Sequence, residues 1–308
     1  MNDLTDYWYL TGPTASGKTG VSIALARRIN AEIISLDSMA VYRGLDIGTA
    51  KPTVAERQGV PHHLIGIRNP DEEYSLAEYC DIAKSVAAEI TARGHRVLFV
   101  GGTPLYLKGM LRGIFEGPPA DWEIRKRLEA VAESEGTAAL HAQLSKVDPA
   151  AAARLHPNDA RRLIRALEVF ELTGIPISTH QQQFEIGRPA EACRVFMLDW
   201  PRELLHQRIN QRVEIMFADG LVAETEKLLA QYPQLSRTAS QAVGYREVIE
   251  HLQGIRTLAE TVELVQMRTR QFAKRQQTWF RSLSECRRIP IQMPSDLNAA
   301  VDMIASFT

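Results

Sequence analysis

The sequence predicts an α/β fold, a parallel sheet with helices on both faces, interrupted by an all-helical insertion. Three observations lead there. Short β-like runs alternate with helical patterns over about the first hundred residues, a rhythm that argues a helix-covered parallel sheet. A glycine-rich loop, GPTASGKT, joins the first apolar run to the first helix. Between residues 115 and 188 the strand signal disappears, and it returns afterwards.

Residues 7–11 read as the first strand and 20–29 as the helix after the loop, with Val21, Ile23, Ala24 and Leu25 available for packing. Residues 31–36 (AEIISL) and 63–67 read as the second and third strands. Ser75 and Glu78 form a capping box that opens a helix to about Arg93, before Gly94. Residues 96–100 (RVLFV) read as the fourth strand, ended by Gly101 and Gly102. Gly117, Pro118 and Pro119 break the rhythm. From Asp121 to about Thr173 the pattern is helical only, with caps expected at Asp121, Asp148 (Pro149 following at N1) and Asn158. Gly174 and Pro176 stop the last of these helices, and 194–198 resumes the sheet. Residues 202–283 read as mostly helical. The division expected is a core of 1–114 and 189–308 around an insertion at 115–188, a semi-independent lobe that moves toward the core when its ligand binds. The Gln181-Gln182-Gln183 run is too short to be a low-complexity tract.

The loop comprises Gly12, Pro13, Thr14, Ala15, Ser16, Gly17, Lys18 and Thr19, and fits G-x-x-x-x-G-K-[ST]. Between a strand and a helix, this pattern marks a P-loop NTPase-like core. The amides of Ala15 through Thr19 are expected to face phosphate oxygens at the helix N-terminus, with Lys18 neutralising the terminal phosphates. The Thr19 hydroxyl is the expected Mg²⁺ ligand. Kinases, ATPases, switches and group transferases all use such a loop, so it leaves the reaction open. Asp37 ends the second strand, expected beside the loop strand, at the sheet edge where ligands of α/β folds collect. The fourth strand ends in Gly101-Gly102-Thr103 rather than the metal-holding aspartate of an NTP hydrolase, which speaks against a motor or switch. Thr103 alone reads as a cap or turn residue.

The 308-residue chain carries a formal net charge of −1 and 45% apolar residues, so no global field draws it to a polyanion. Basic residues are nevertheless clustered. Residues 264–288 hold seven (Arg268, Arg270, Lys274, Arg275, Arg281, Arg287, Arg288) against one acid, Glu285, interleaved with Phe272, Trp279 and Phe280. By itself this is an amphipathic helix with a solvated basic face. Arg161, Arg162 and Arg165 form a second set, with Leu163, Leu167 and Phe170 as packing. Two basic faces beside one phosphate loop are compatible with RNA. Cys80, Cys193 and Cys286 lie far apart without CxxC spacing and read as reduced, buried thiols. Asp3 and Asp6 stand where a signal peptide carries positive charge, and no apolar run approaches the ~18 residues of a membrane span. A cytoplasmic protein without a membrane segment is expected.

Taken together, the stretches GPTASGKT (12–19), DSMAVYRGLDIGTAKP (37–52), GGTPLYLKGM (101–110), HPNDARRLIRALEVFELTGIPIS (156–178), QAVGYRE (241–247) and TRQFAKRQQTWFR (269–281) resemble the tRNA dimethylallyltransferases, also called tRNA isopentenyltransferases. They span nearly the whole chain in order, and DIGTAKP after DSMxVYRG is far more specific than the phosphate loop. The sequence departs from the family at Ala40, where many relatives carry glutamine.

The resemblance implies that the loop cradles dimethylallyl diphosphate. The dimethylallyl group then passes to N6 of the adenosine 3′ of the anticodon, in tRNAs reading codons that begin with U. It implies Asp37 as general base, Thr103 near the amine or diphosphate, and Arg212 with Lys18 and Mg²⁺ at the leaving group. Arg212 otherwise passes for a surface charge on the helix 203–217. It also implies contacts with the tRNA anticodon stem-loop from Asp37, Ser38, Met39 and Ala40, and from Arg161, Arg162, Leu163, Ile164 and Arg165. Two further stretches are Gln241, Ala242, Val243, Gly244, Tyr245 and Arg246, and Lys274, Arg275, Gln276, Gln277, Thr278, Trp279, Phe280 and Arg281. Within these, Val243, Trp279 and part of Phe280 read as packing, and His156 as structural. A monomer is the expected form. A small-molecule P-loop kinase shares the fold but leaves DIGTAKP and the basic faces without purpose. A non-catalytic nucleotide-dependent RNA-binding module makes Asp37 dispensable.

Overall fold

The computed structural model describes residues 7–115, 117–180 and 187–307; Asp3, Asp6 and the Gln181-Gln182-Gln183 run lie outside them. The chain divides into two compact units, residues 1–111 with 187–308, and residues 112–186.

The first unit is built on a six-stranded parallel sheet. Its strands are β1 (Trp8–Thr11), β2 (Ala31–Ser35), β3 (His62–His63), β4 (Arg96–Gly101), β5 (Arg194–Asp199) and β6 (Cys286–Pro290), in the order β3-β2-β4-β1-β5-β6. β1 is central, with Trp8 opposite Leu98 on one side and Arg194 on the other. Successive side chains of a strand point to opposite faces. Trp8, Leu10, Ile33, Leu98, Phe196 and Leu198 therefore share one face, packed with α1 (Lys18–Ile29), α10 (Arg202–Ala218), α13 (Leu258–Ser282) and α14 (Asp296–Ala305). On the other face Tyr9 stacks on Phe99 at 4.8 Å between ring centres. There α3 (Leu76–Ala92) buries Tyr79, Cys80, Ala83, Ala87 and Ile90, and the Tyr79 hydroxyl donates to the Ser35 carbonyl at 2.9 Å. Burying each large apolar side chain contributes roughly 1.5–3 kcal/mol. Ser75 caps α3 through the reciprocal bonds with Glu78 that its spacing predicts.

Several elements differ from expectation. β2 is not beside the loop strand: β4 lies between them, because α3 carries the chain across to the position adjoining β1. Asp37 still reaches the loop's edge of the sheet, since all the strands run parallel. β3 keeps two residues rather than 63–67, because Leu64 and Gly66 take φ of 60° and 62° and turn the backbone out of extension. β6 and α14 follow α13 where no sheet element was read. β6 is an edge strand paired only with β5, and its Arg287, Arg288 and Pro290 conceal it. Two further helices, α2 (Val54–Arg57) and α4 (Pro104–Arg112), follow β2 and β4. The C-terminal third adds α11 (Leu221–Gln231) and α12 (Tyr245–Leu252).

The second unit is helical: α5 (Trp122–Ser134), α6 (Thr137–Val147), α7 (Pro149–Arg154), α8 (Ala160–Thr173) and α9 (Ile177–His180). Leu128, Leu140, Leu144, Leu163, Leu167 and Val169 form its own core. Asp121 and Asp148 cap α5 and α7 as expected, but α8 is capped by Asp159 rather than Asn158. The Asp159 carboxylate accepts the Arg162 amide at 3.3 Å, while the Asn158 amide turns back to the His156 ring at 3.1 Å. Gly174 ends α8 at φ 70°.

Candidate active site

The loop after β1, Asp37 after β2 and Thr103 after β4 meet at the carboxyl edge of the sheet, with α10 and α13 alongside. They enclose a cavity of about 500 Å³, within the range of small-molecule sites.

Gly17, at φ 89°, begins α1 with no side-chain cap, and Val21 N closes the first helical bond to Gly17 O at 3.3 Å. The amides of Lys18, Thr19 and Gly20 precede that bond and point out of the helix end, a ready anion site. Side chains from distant parts of the chain hold the loop backbone. Trp200 Nε1 donates to Ser16 O at 2.9 Å, and Arg208 Nε donates to Ala15 O at 2.8 Å. The Arg208 guanidinium also lies 4.5 Å from the centre of the Trp200 ring. Thr14 N donates to Gln276 Oε1 at 2.9 Å. Ser16 Oγ is buried and has no hydrogen-bond partner among the described residues.

Lys18 Nζ donates to the carbonyls of Gly12 and Pro13 at 2.9 and 2.7 Å. Burial, then the nearby Arg212 charge, lowers its pKa to about 7, with Asp37 pulling the other way. Burial also lowers the Arg212 pKa, and Asp37 opposes this. Two cations are thus packed at one end of the cavity, an arrangement that an anion relieves. Asp37 Oδ1 accepts the amides of Met39 and Ala40 at 2.8 and 3.3 Å. Among the described residues, its Oδ2 has no hydrogen-bond partner. Thr103 Oγ1 accepts Ser38 N at 3.0 Å and donates to Ser38 Oγ at 3.3 Å, joining the tips of β4 and β2. The approach is close: a Cβ on Gly101 would lie 2.0 Å from Leu36 O. Ile209, Val213, Ile215, Met216, Val265 and Phe272 add apolar side chains to the lining of the same cavity.

The DIGTAKP segment is held from behind. Glu224 accepts the amide of Ile47 at 2.9 Å, and the Tyr245 hydroxyl accepts the amide of Gly48 at 3.1 Å and donates to Glu224 at 2.5 Å. A Cβ on Gly48 would lie 2.4 Å from the Tyr245 ring. Lys51 is tied to Asp46 at 2.6 Å.

The remaining sequence-predicted residues separate by exposure. Gln241, Arg246, Lys274, Arg275, Thr278 and Arg281 are exposed, whereas Ala242, Gly244, Tyr245, Gln276, Gln277 and Phe280 are buried. Val243 and Trp279 are half-buried. Arg281 bonds Asp199 at 2.7 Å, and Gln277 donates to Trp200 O at 3.1 Å. Ser38 and Met39 are half-buried beside Asp37, and Ala40 is buried. In the second unit Arg161 and Arg162 are exposed, while Leu163 and Ile164 lie in its core. Arg165 bonds the buried Glu168 at 2.6 Å and Pro118 O at 2.9 Å. Arg208 and Trp200 were not singled out in the sequence. Their loop contacts join residues 193 and 184 apart, and no local pattern encodes those.

Sheet, loop and cavity define a P-loop-like α/β protein whose cavity is lined by the loop, two cations and apolar side chains. Residues 40–283 match a family model described as IPP transferase. A tRNA dimethylallyltransferase of Rhodopirellula baltica is 49% identical over 290 residues, 92% of this chain and 87% of that protein. The full-length tRNA isopentenylpyrophosphate transferase of Bacillus halodurans has a TM-score of 0.69 and 40% identity, covering 98% of this chain and 96% of that one. A eukaryotic dimethylallyltransferase, solved acting on tRNA, has a TM-score of 0.79 and 28% identity, covering 97% of this chain and 77% of its own. The chain belongs to the tRNA dimethylallyltransferase family.

Proposed function

We propose that the protein transfers a dimethylallyl group from dimethylallyl diphosphate to N6 of the adenosine 3′ of the anticodon, in tRNAs reading codons that begin with U. The observation that carries this reading is the cavity's mixed lining. Lys18, Arg212 and the loop amides suit a diphosphate, and the apolar side chains of the same cavity suit a five-carbon chain. A phosphoryl-transfer site has no use for that apolar lining, and β4 ends without the metal-holding aspartate.

The reaction follows from the residues. The C–O bond to the diphosphate breaks as charge develops on the leaving group, which Lys18, Arg212 and the loop amides stabilise electrostatically. The exocyclic amine of adenine attacks the freed carbon, and Asp37 Oδ2 accepts its proton. Thr103 holds Ser38, and with it the turn that aims Asp37. The exposed Thr19 hydroxyl, in the first turn of α1, is an oxygen donor of the kind a hard cation takes. Thr19 would hold Mg²⁺, whose charge would help neutralise the leaving group when bound.

The adenosine leaves its stack to enter the cavity, and the anticodon arm is held by backbone contacts. Exposed Arg246, Lys274 and Arg275 suit those contacts, as do Arg161 and Arg162 of the helical unit. A second cavity of about 430 Å³, lined by Gln241, Val243, Arg246, Arg268 and Arg275, adjoins the first. The protein acts as a monomer in the cytoplasm, and no described helix is long and apolar enough to cross a membrane. The test is transfer of labelled dimethylallyl to an unmodified anticodon stem-loop, with release of intact diphosphate. A phosphorylated product made from ATP would favour a kinase instead.

A further inference from the structure

Gln276 is 4% exposed on a helix whose neighbouring positions Lys274 and Arg275 face solvent. A buried glutamine is costly unless its amide is fully used. This one is. Its Oε1 accepts Thr14 N of the phosphate loop at 2.9 Å, and its Nε2 donates to Gly102 O at the tip of β4 at 2.6 Å. A backbone amide only donates and a carbonyl only accepts, so these two partners fix which way the carboxamide points.

The two loops that it joins carry different parts of the site. The phosphate loop presents Lys18 and the anion-binding amides. The β4 tip leads into Thr103, which holds Ser38 next to Asp37. The fit around the carboxamide is tight: a Cβ on Gly102 would lie 2.7 Å from Gln276 Nε2. Arg208 and Trp200 grip the same loop at Ala15 and Ser16, but neither bonds to the β4 tip. Gln276 alone among these three spans both loops.

We infer that Gln276 is a positioning residue: its carboxamide sets the phosphate loop against the β4 tip and so holds the diphosphate site in register with Asp37. The inference rests on the transferase reading for its kinetic consequence, though not for its binding consequence. A displacement of about 1 Å at a reacting centre costs up to roughly 100-fold in rate. Gln276→Met keeps the length of the side chain and removes both hydrogen bonds.

The full-length variant and the parent protein are compared in three measurements: affinity for inorganic diphosphate, kcat/KM for dimethylallyl diphosphate at saturating tRNA, and affinity for tRNA. The expected result is diphosphate affinity weakened about tenfold, kcat/KM lowered roughly 10- to 100-fold, and tRNA affinity within twofold of the parent. Weakened tRNA affinity with unchanged diphosphate binding would make Gln276 an RNA contact and overturn the inference. A lower melting temperature with unchanged diphosphate affinity and kcat/KM would make it a packing residue, with the same consequence. Should the variant not fold, amide exchange in the parent protein decides: a protected Thr14 amide is expected, and one exchanging at the free rate overturns the inference. A parent protein that transfers nothing to tRNA would sink the transferase reading, while diphosphate binding by the variant would still judge Gln276.

Discussion

The Thr103 hydroxyl accepts the Ser38 amide at 3.0 Å, tying the tip of β4 to the residue after Asp37. The Asp37 carboxylate bonds the next two amides, of Met39 and Ala40, so one hydroxyl and one carboxylate set the shape of this turn. Thr103→Val preserves shape and removes the bond. It is expected to lower kcat roughly 10- to 100-fold with little change in the KM for dimethylallyl diphosphate, and Thr103→Ser is expected to restore most of the rate. Steady-state kinetics of the two variants check this.

Lys18, with its pKa lowered to about 7, is expected to couple the proposed diphosphate binding to pH. An adjacent anion favours the charged lysine, so binding raises this pKa. Diphosphate affinity should therefore fall as pH rises above about 7, with proton uptake on binding in that range. In Lys18→Met this component disappears and affinity is weaker throughout. Calorimetric titration with inorganic diphosphate, in buffers of different ionisation enthalpy, measures the uptake directly.

Glu168 is fully buried in the helical unit, between Arg125 at 2.8 Å and Arg165 at 2.6 Å, and also accepts the Asp121 amide at 2.7 Å. Burial pushes its carboxyl up, but the bonds from Arg125, Arg165 and the Asp121 amide outweigh that and hold it below the usual carboxylate range. A carboxylate with a depressed folded pKa stabilises above its unfolded pKa, near 4, and loses that contribution as pH falls through the folded value. Glu168→Gln should destabilise this unit by about 1–3 kcal/mol at neutral pH, the discount reflecting partly exposed arginine partners. The difference from the parent should shrink in acid, and denaturation monitored through Trp122, on α5 of this unit, tests both statements.

Arg161 and Arg165 share a face of α8 but differ in what holds them. Arg161 is exposed, while Arg165 is committed to Glu168 and Pro118. Arg161→Ala should weaken tRNA binding and reduce the slope of log affinity against log salt by about 0.7–0.9, the signature of one lost phosphate contact. Arg165→Ala should act mainly on the stability of the helical unit. Binding isotherms at several salt concentrations separate the two.

What the sequence disclosed depended on the range of the interaction. The phosphate loop, the Ser75 capping box and the Gly174 stop are written within a few residues, and so were legible. The parallel α/β class followed from the alternation of strand and helix. Strand order was not legible: nothing in β2 says that β4, rather than β1, will be its neighbour. β6 escaped because an edge strand tolerates the charged residues that hide its period. The least legible feature was Gln276, whose partners lie at Gly102 and at Thr14, 262 residues away. From the pattern alone it belonged to an amphipathic helix with a solvated basic face, and the family resemblance made that stretch a tRNA contact.

Asp37 is proposed as the base that takes the proton from the attacking amine. Single-turnover transfer by Asp37→Ala, at saturating tRNA and dimethylallyl diphosphate, measures that step alone. The expected result is a rate about 10²–10⁴-fold below the parent, with tRNA affinity nearly unchanged, since a general base typically contributes that much. Near-parental turnover in the variant would contradict it and remove Asp37 from the chemistry.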